Sequence, residues 1–394
     1  MLTHRQLFIN HLAQTSDAPM MLEIIKAEGM ELTDVNSKKY IDLISGISVS
    51  NVGHRHPKVV EAIKKQLDNY MHLMVYGEYV LSPQTLLAKA LCDLLPQNLN
   101  SCYFVNSGTE AIEGAMKLAK RYTGRTEIMA FKNAYHGSTQ GALSLMSDEY
   151  FKNAFRPLLP DIRFIEFNNE NDLKLITKKT ACVVAEVIQG EAGAIVPEKD
   201  FHQALRKKCD ETGTLLISDE IQTGFGRCGT LFAFEQYDFI PDILVLAKGM
   251  GGGMPIGTFV SSKKIMNSLT NNPLLGHITT FGGHPVSCAA SLATLKIISE
   301  MNLKTEVEEK EKIFRKKLVH SKILNITGKG LLLSIEFANA EINKKIIKRC
   351  IENGVITDWF LFAENKMRIA PPLIISNDCI IKSCELILKS IDET

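Results

Sequence analysis

Short apolar segments alternate with amphipathic helical patterns from about residue 56 to residue 280, and this alternation strongly constrains the fold. The predicted strands are 102–105, 126–131, 162–167, 181–187, 214–218, 243–246 and 257–261. Predicted helices among them include one that ends near residue 124 and one over 201–210. Strands separated by helices favour a mostly parallel sheet that is covered on both faces, so the fold class is α/β.

The pattern changes near both ends of the chain. Residues 286–299 and 304–319 predict long helices, and 328–337 combines turn residues with an apolar strand. A helix near 342–353 and a strand near 367–369 follow, while the first fifty residues contain short strands such as 29–32 and 39–43. We therefore expect a large domain over residues 56–284. A smaller α+β domain is expected from residues 1–55 and 285–394.

Composition restricts the class of protein. The chain has 394 residues and a formal net charge of +1, which gives no broad attraction to nucleic acid or to an anionic membrane. No apolar run approaches the roughly 20 residues of a membrane span. Asn10 and His11 interrupt the first apolar stretch, so no signal peptide is expected. The nine cysteines contain no CxxC pair, which favours reduced thiols and a cytoplasmic location. No metal site is expected.

Two predicted strands end in charged side chains. Lys248 follows the apolar segment 243–246, and Asp219 follows 214–218. Burying a lysine at the end of an apolar strand costs free energy unless its amine is neutralised or takes part in chemistry. An amine beside a carboxylate suits pyridoxal phosphate (PLP), because the amine can form a Schiff base and the acid can keep the pyridine nitrogen protonated. Alternatively, Asp219 is a helix N-cap.

A second feature is the turn from strand to helix at residues 106–109. Free backbone N–H groups and the helix dipole favour a phosphate there; Gly108 permits close approach and Thr109 adds a hydroxyl. A simple N-cap explains the same residues. Tyr135 follows another strand, where its ring can stack on a flat cofactor or simply pack in the core. Gln222, three residues after Asp219, can reach the phenolic oxygen of PLP.

The glycine-rich segment 249–253 invites comparison with dinucleotide-binding loops. Those glycines open a long helix after the first strand, whereas Pro255 and a new strand from residue 257 follow here. We interpret the glycines as clearing space around Lys248. Glu186 and Glu191 close another strand, and Arg368 lies between apolar residues and paired prolines. A buried Glu191–Arg368 pair could open and close around a substrate carboxylate.

Together these segments resemble the fold-type I PLP enzymes of aminotransferase class III, the ω-aminotransferases, over nearly the whole chain. The segments that carry the resemblance are 107–111 (SGTEA), 135–137 (YHG), 186–193 (EVIQGEAG), 218–227 (SDEIQTGFGR), 246–253 (LAKGMGGG), 279–283 (TTFGG) and 367–372 (MRIAPP).

The resemblance implies a role for each matching residue. It implies that Lys248 is the Schiff-base lysine and proton carrier, and that Thr280 reaches the phosphate of a partner subunit in an obligate homodimer. Glu191 and Arg368 resemble the gate of ornithine-type enzymes, with Arg368 free to bind the α-carboxylate of 2-oxoglutarate when the gate opens. The other implied cofactor contacts are Asp219 at the ring nitrogen, Gln222 at the ring oxygen, Gly108 and Thr109 at the phosphate, Tyr135 on the ring, and Glu186. Thr279 and Ser138 are implied substrate contacts.

One departure concerns the amine donor. Acetylornithine, ornithine and 4-aminobutyrate members usually carry arginine directly after the His-Gly pair, where this chain has Ser138. A serine cannot supply a bidentate cationic fork. Segments 138–143 and 156–160 are similar to putrescine-type enzymes, whose diamine donor has no carboxylate.

The resulting expectation is a PLP-dependent ω-aminotransferase. It would move the terminal amino group of acetylornithine or ornithine to 2-oxoglutarate, giving a semialdehyde and glutamate. A diamine aminotransferase, a PLP-dependent decarboxylase, racemase or aminomutase, and a non-enzymatic nucleotide-binding module are the alternatives.

Overall fold

The computed structural model describes residues 2–394 and contains three β-sheets. The strands are β1 (Ile24–Glu28), β2 (Glu31–Asp34), β3 (Lys39–Asp42), β4 (Ser101–Val105), β5 (Glu127–Phe131), β6 (Ile162–Ile165), β7 (Thr180–Glu186), β8 (Leu215–Asp219), β9 (Ile243–Leu246), β10 (Gly257–Ser261), β11 (Asn325–Lys329), β12 (Leu332–Glu336), β13 (Val355–Ile356), β14 (Trp359–Phe360) and β15 (Ala363–Ile369).

The α-helices flank these sheets. They are α1 (His4–His11), the irregular turn α2 (Ser45–Ser48), α3 (Pro57–Asn69), α4 (Ser82–Leu94), α5 (Gly108–Thr123), α6 (Gln140–Ser144), α7 (Glu149–Lys152), α8 (Phe201–Thr212), α9 (Lys263–Met266), α10 (Pro285–Ser299), α11 (Leu303–Lys317), α12 (Ala340–Glu352) and α13 (Asn377–Asp392).

The central sheet has seven strands in the order β4-β10-β9-β8-β7-β5-β6. Strands β9, β8, β7, β5 and β6 are parallel, while β10 runs antiparallel to both β4 and β9. Leu216 and Leu244 belong to the hydrophobic cluster on one face, and Ile217 and Val245 to the cluster on the other. Side chains alternate along a strand, so both faces are buried. The predicted α/β class is confirmed.

Two smaller sheets contain the ends of the chain. One has the order β1-β2-β3-β13, and β13 pairs in parallel with β3, so the two ends share a sheet. The other has the order β11-β12-β15-β14. The proposed domain limits at residues 55/56 and 284/285 stay a prediction.

Several sequence predictions need correction. The strand predicted over 29–32 is observed two residues later as β2 (Glu31–Asp34), because Gly29 has a φ of 57° and lies in the turn between β1 and β2. Helices α1 and α4 were not predicted. In contrast, α5 begins where the strand-to-helix turn was expected: Ser107 caps it and Gly124 ends it in the left-handed conformation. No helix within residues 2–394 is both long and apolar enough to span a bilayer.

Arg227 joins three parts of the chain in the core. It is fully buried, and burial lowers its pKa to about 10. Its guanidinium donates to the backbone carbonyls of Leu331 and Pro371 and to the side chains of Ser45 and Asn51. Neutral acceptors therefore hold this cation between the N-terminal segment, the loop after β8 and the C-terminal segment.

We predict that Arg227→Ala lowers the free energy of unfolding by about 3 kcal/mol, because buried acceptors lose their donor and a cavity remains. Thermal denaturation followed by circular dichroism tests this. Arg349→Ala is the control, since it removes only an exposed ion pair with Glu352 and should change stability by about 0.5 kcal/mol or less. Equal melting temperatures for Arg227→Ala and wild type would contradict the prediction.

Candidate active site

A cavity of about 540 Å³ lies at the carboxyl ends of β7, β8 and β9. Glu186 and Asp219 are the last residues of β7 and β8 and are direct partners in the parallel register. Lys248 follows β9 after Ala247, and all three charged side chains line the cavity. The predicted meeting of Lys248 and Asp219 at one sheet edge is therefore observed, and Glu186 joins them there.

Lys248 has an unusual backbone conformation, with a φ of 47°. Such strain in a non-glycine residue persists only where the surroundings fix it, and it is concentrated at functional sites. Burial lowers the pKa of its amine, and the charge of Glu191 partly offsets this effect. The glycine that follows has a packing role: a Cβ on Gly249 would lie 2.5 Å from Nδ2 of Asn51. We interpreted the glycines as clearing space around Lys248. Gly249 instead makes room for the side chain of Asn51.

His136 fixes Asp219, a contact that the sequence did not reveal. Its Nδ1 lies 2.7 Å from Oδ2 of Asp219, and both side chains are buried. Oδ1 of Asp219 accepts the backbone N–H of Ile221 at 2.9 Å. The carboxylate is thus held in one orientation at the cavity wall. Only the position of His136 between Tyr135 and Gly137 could have suggested a role.

Three buried polar atoms at the cavity have no hydrogen-bond partner among the described residues. They are Nε2 of Gln222, Oε2 of Glu186 and Nε2 of His136. Burial, together with the nearby charge of Asp219, raises the pKa of Glu186 well above its usual range. Unpartnered buried polar atoms are rare and call for an explanation. A polar ligand in the cavity would supply the missing partners.

The N-terminus of α5 also lines the cavity. Its first-turn N–H groups, which include those of Gly108 and Thr109, have no acceptor inside the helix. The Thr109 hydroxyl is bound to Thr139, whose own hydroxyl donates to Glu113 at 2.6 Å. The backbone of Thr109, and not the hydroxyl that the sequence suggested, therefore remains available to an anion.

The loop that carries Tyr135 is tied to this helix. A Cβ on Gly137, which has a φ of 128°, would lie 2.3 Å from Oγ1 of Thr109. Glu113 accepts backbone N–H groups at Gly141 and Ala142. Because α5 and the loop are bound to each other, the Tyr135 ring has a fixed position next to the helix N-terminus.

Glu191 and Arg368 form a buried, two-pronged ion pair. Nη1 and Nη2 of Arg368 donate to the two oxygens of Glu191 at 2.8 and 3.0 Å. Burial disfavours ionisation of Glu191, but the charge of Arg368 outweighs it and lowers the pKa of the glutamate. Both charges also act on the Lys248 amine, so the pair lies close to the cavity although it does not line it. The sequence missed a second carboxylate, Asp358, which accepts from Nε of Arg368 at 2.9 Å.

Two predicted site residues, Thr279 and Thr280, do not line the cavity. Thr279 accepts from Asn106 at 3.2 Å but lies outside the cavity of its own chain, and Thr280 is exposed. Ser138 lines the cavity, with its hydroxyl 3.1 Å from that of Tyr135. The structure therefore does not bring the two threonines to the site within one chain.

The chemistry of the cavity fits PLP. That cofactor has a phosphate, an aldehyde, a phenolic oxygen and a pyridine nitrogen on one ring. The cavity offers a helix N-terminus, the primary amine of Lys248, the free amide N–H of Gln222 and the carboxylate of Asp219.

Known proteins resemble the chain over almost its whole length. Residues 12–391 match the family described as Aminotransferase class-III. The acetylornithine aminotransferases of Methanocaldococcus jannaschii and Methanopyrus kandleri are 39% and 37% identical. The first alignment covers 97% of this chain and 95% of that protein; the second covers 93% of each.

The fold also matches solved structures. The ornithine aminotransferase of Toxoplasma gondii, crystallised with PLP partly occupying its active site, superposes with a TM-score of 0.90 at 26% identity. That match covers 98% of this chain and 92% of the other. These findings exclude a nucleotide-binding module without enzymatic function. The chain belongs to the class-III aminotransferases and is a PLP-dependent transaminase of fold type I.

Proposed function

We propose that this enzyme transfers the terminal amino group of acetylornithine or ornithine to 2-oxoglutarate, giving a semialdehyde and glutamate. The observation that carries the proposal is the buried ion pair of Glu191 with Arg368. The names of the two relatives support the donor class. The family match does not favour a decarboxylase, racemase or aminomutase, because the family is described as an aminotransferase family.

The reacting groups lie at the strand ends. Bound PLP supplies an aldehyde that takes the substrate amine and a ring that withdraws electrons from the substrate carbon. Lys248 would attach the cofactor through its amine and, once free, would carry the proton to and from the substrate carbon. Its lowered pKa favours the neutral amine that can accept this proton.

The remaining cavity residues orient the ring. Asp219, held by His136, keeps the pyridine nitrogen protonated, and Gln222 donates its free amide N–H to the phenolic oxygen. Glu186 lies beside Asp219, and burial and the charge of Asp219 raise its pKa, which disfavours a second negative charge next to the ring.

The other residues hold the phosphate and the ring face. Gly108 and Thr109 bind the phosphate through backbone N–H groups at the start of α5. Tyr135 stacks on the ring, and Ser138 supports its hydroxyl at 3.1 Å. Thr280 completes the phosphate site of the partner chain.

Glu191 and Arg368 make the site accept two unlike substrates. The two Glu191 oxygens occupy the positions that a substrate carboxylate would take on the guanidinium fork. With the pair closed, Glu191 neutralises the Arg368 guanidinium while the donor amine enters the cavity. When Glu191 withdraws, Arg368 binds the α-carboxylate of 2-oxoglutarate or glutamate.

The homodimer is supported by an exposed apolar surface near Thr280. The segments 71–80 and 274–281 meet where the His72 ring lies 4.7 Å from that of Phe281. We name this the dimer surface. Large contiguous apolar patches are uncommon on monomers and mark interaction sites. Its exposed side chains are Met71, Leu73, Tyr79, Val80, Leu274, Leu275, Ile278 and Phe281.

We predict that Lys248→Ala abolishes turnover, because no other primary amine lines the cavity in the described chain. Glutamate formation measures activity, and the absorbance of bound PLP shows whether the cofactor site survives. Lys207→Ala, an exposed lysine on α8, is the control and should keep wild-type activity. Full activity in Lys248→Ala would refute the assignment.

The donor is tested with purified, PLP-loaded enzyme and 2-oxoglutarate. Glutamate is followed with N-acetylornithine, ornithine, 4-aminobutyrate, lysine and putrescine as donors. We expect the highest kcat/KM for acetylornithine or ornithine. Preference for putrescine would instead make Ser138 the mark of a site for amines without a carboxylate. No glutamate from any donor would overturn the proposed acceptor or donor class.

The shared site is tested by mixing inactive chains. Thr280→Asp places a negative charge against the partner's phosphate, so we expect it to lose PLP affinity and activity. Mixed with Lys248→Ala and allowed to exchange subunits, it should regain activity, because one site then holds both Lys248 and Thr280.

Two controls accompany the mixing experiment. Light scattering after size-exclusion chromatography should give twice the monomer mass for the wild type. Val80→Asp, which charges a 91% exposed side chain on the dimer surface, should lower that mass, whereas Val319→Asp, 74% exposed elsewhere, should not. A fully active monomer, or no recovery in exchanged mixtures, would count against a site shared between chains.

A further inference from the structure

Arg368 has two carboxylate partners with different origins. Glu191 comes from the loop after β7 and binds the outer nitrogens, Nη1 and Nη2. Asp358 lies between β13 and β14 and binds Nε on the inner edge at 2.9 Å. Glu191 can therefore leave Nη1 and Nη2 while Asp358 stays bound to Nε.

The contact with Asp358 is built into the backbone around β14 and β15. The N–H of Arg368 donates to the carbonyl of Asp358 at 2.9 Å, and the hydroxyl of Thr357 donates to the carbonyl of Arg368 at 2.6 Å. Trp359 and Met367 are paired in the same register. Asp358 is thus tied to Arg368 by neighbouring backbone contacts, whereas Glu191 lies in the loop after β7.

We propose that Asp358 is a positioning residue that keeps the Arg368 guanidinium in its binding orientation when Glu191 withdraws. The inference rests on the proposed function, in which the fork of Arg368 binds the α-carboxylate of the keto acid. Asp358 touches neither substrate nor cofactor in this role; it acts through Arg368.

The surroundings give Arg368 few other supports. Its side chain is 3% exposed, so water does not replace a lost partner readily. Without both carboxylates it keeps the carbonyl of Trp359 at 3.3 Å and the Phe360 ring, 4.4 Å from its Cζ. Burial raises the pKa of Asp358 to about 6, so the group is a carboxylate above neutral pH. When Glu191 withdraws, the remaining ionic contact with Asp358 fixes the Arg368 guanidinium.

The test separates the two half-reactions. In stopped-flow experiments, cofactor absorbance follows the amine donor alone and glutamate alone. For Asp358→Ala we expect at least a tenfold higher half-saturating concentration for glutamate and a donor half-reaction within twofold of wild type, because the donor uses the closed pair. Asp358→Asn should restore glutamate to within about threefold, since its amide oxygen still accepts from Nε.

Binding provides a readout that is independent of turnover. Glutarate, a dicarboxylate without amino or keto groups, is titrated calorimetrically into the PLP-loaded enzyme. We expect its Kd to rise at least tenfold in Asp358→Ala and to recover in Asp358→Asn. If the alanine variant does not fold, Asp358→Ser replaces it, because a serine hydroxyl is too short to reach Nε.

A matched control comes from Arg206, which also has two carboxylate partners, Asp242 and Asp210, both at 2.7 Å. Asp210→Ala removes one of them outside the cavity and should leave both half-reactions and glutarate binding unchanged. Parallel losses in the two half-reactions of Asp358→Ala, no loss in either, or an asparagine variant as weak as alanine would overturn the inference. Failure of the proposed function is separate, because wild type would then form no glutamate from 2-oxoglutarate.

Discussion

The parallel pairing of β7, β8 and β9 is the constraint on which the active site depends. Parallel neighbours end at the same sheet edge, so the direct register of Glu186 with Asp219 places two acidic groups side by side. Lys248 comes to the same edge from the next strand. Burial disfavours charge at this edge. His136 binds and holds Asp219. The pKa of Glu186 is raised and that of Lys248 is lowered, and both shifts favour the neutral forms.

Two buried arginines, Arg227 and Arg368, differ in the type of their hydrogen-bond partners. Arg227 donates to carbonyl, hydroxyl and amide oxygens from different segments, and no substrate can take the place of several fixed backbone groups at once. Arg368 pairs with the carboxylate of Glu191, and a carboxylate is a group that a substrate itself carries. Under the proposed function, an exchangeable partner is what distinguishes Arg368, which binds substrate, from the structural Arg227.

The sequence predicted what depends on local pattern. Strand periodicity and polar strand ends were sufficient for the parallel sheet and for the meeting of Lys248 with Asp219. Contacts between distant segments were not predictable. His136 and Asp219 are 83 residues apart, and nothing in a lone histidine reveals its partner. Asp358 lies just before β14, and its contact with Arg368 forms only when β14 and β15 pair.

The direction of β10 and the Thr109 hydroxyl illustrate the same limit. An apolar strand has the same alternation in either direction, so the antiparallel pairing of β10 with β4 and β9 leaves no mark on its sequence. A threonine hydroxyl at the start of a helix can bind either a phosphate or a neighbouring side chain, and that of Thr109 binds Thr139. The loop around Thr139 decides between them, and its approach depends on Glu113 binding the loop backbone.

Ser138 has a consequence for selectivity under the proposed function. Lys248 is the only lysine or arginine lining the described cavity, and Arg368 offers its fork to one carboxylate at a time. In an ornithine-type donor the carboxylate lies several bonds from the reacting carbon, whereas in 2-oxoglutarate it is adjacent. Arg368 therefore serves the acceptor and leaves the distal carboxylate of the donor without a fork. A hydrogen bond to a charged group is worth about 1.5–3 kcal/mol, a factor of roughly 10–150. Discrimination between a carboxylated donor and a diamine should be weaker by this factor than in relatives that carry arginine after the His-Gly pair.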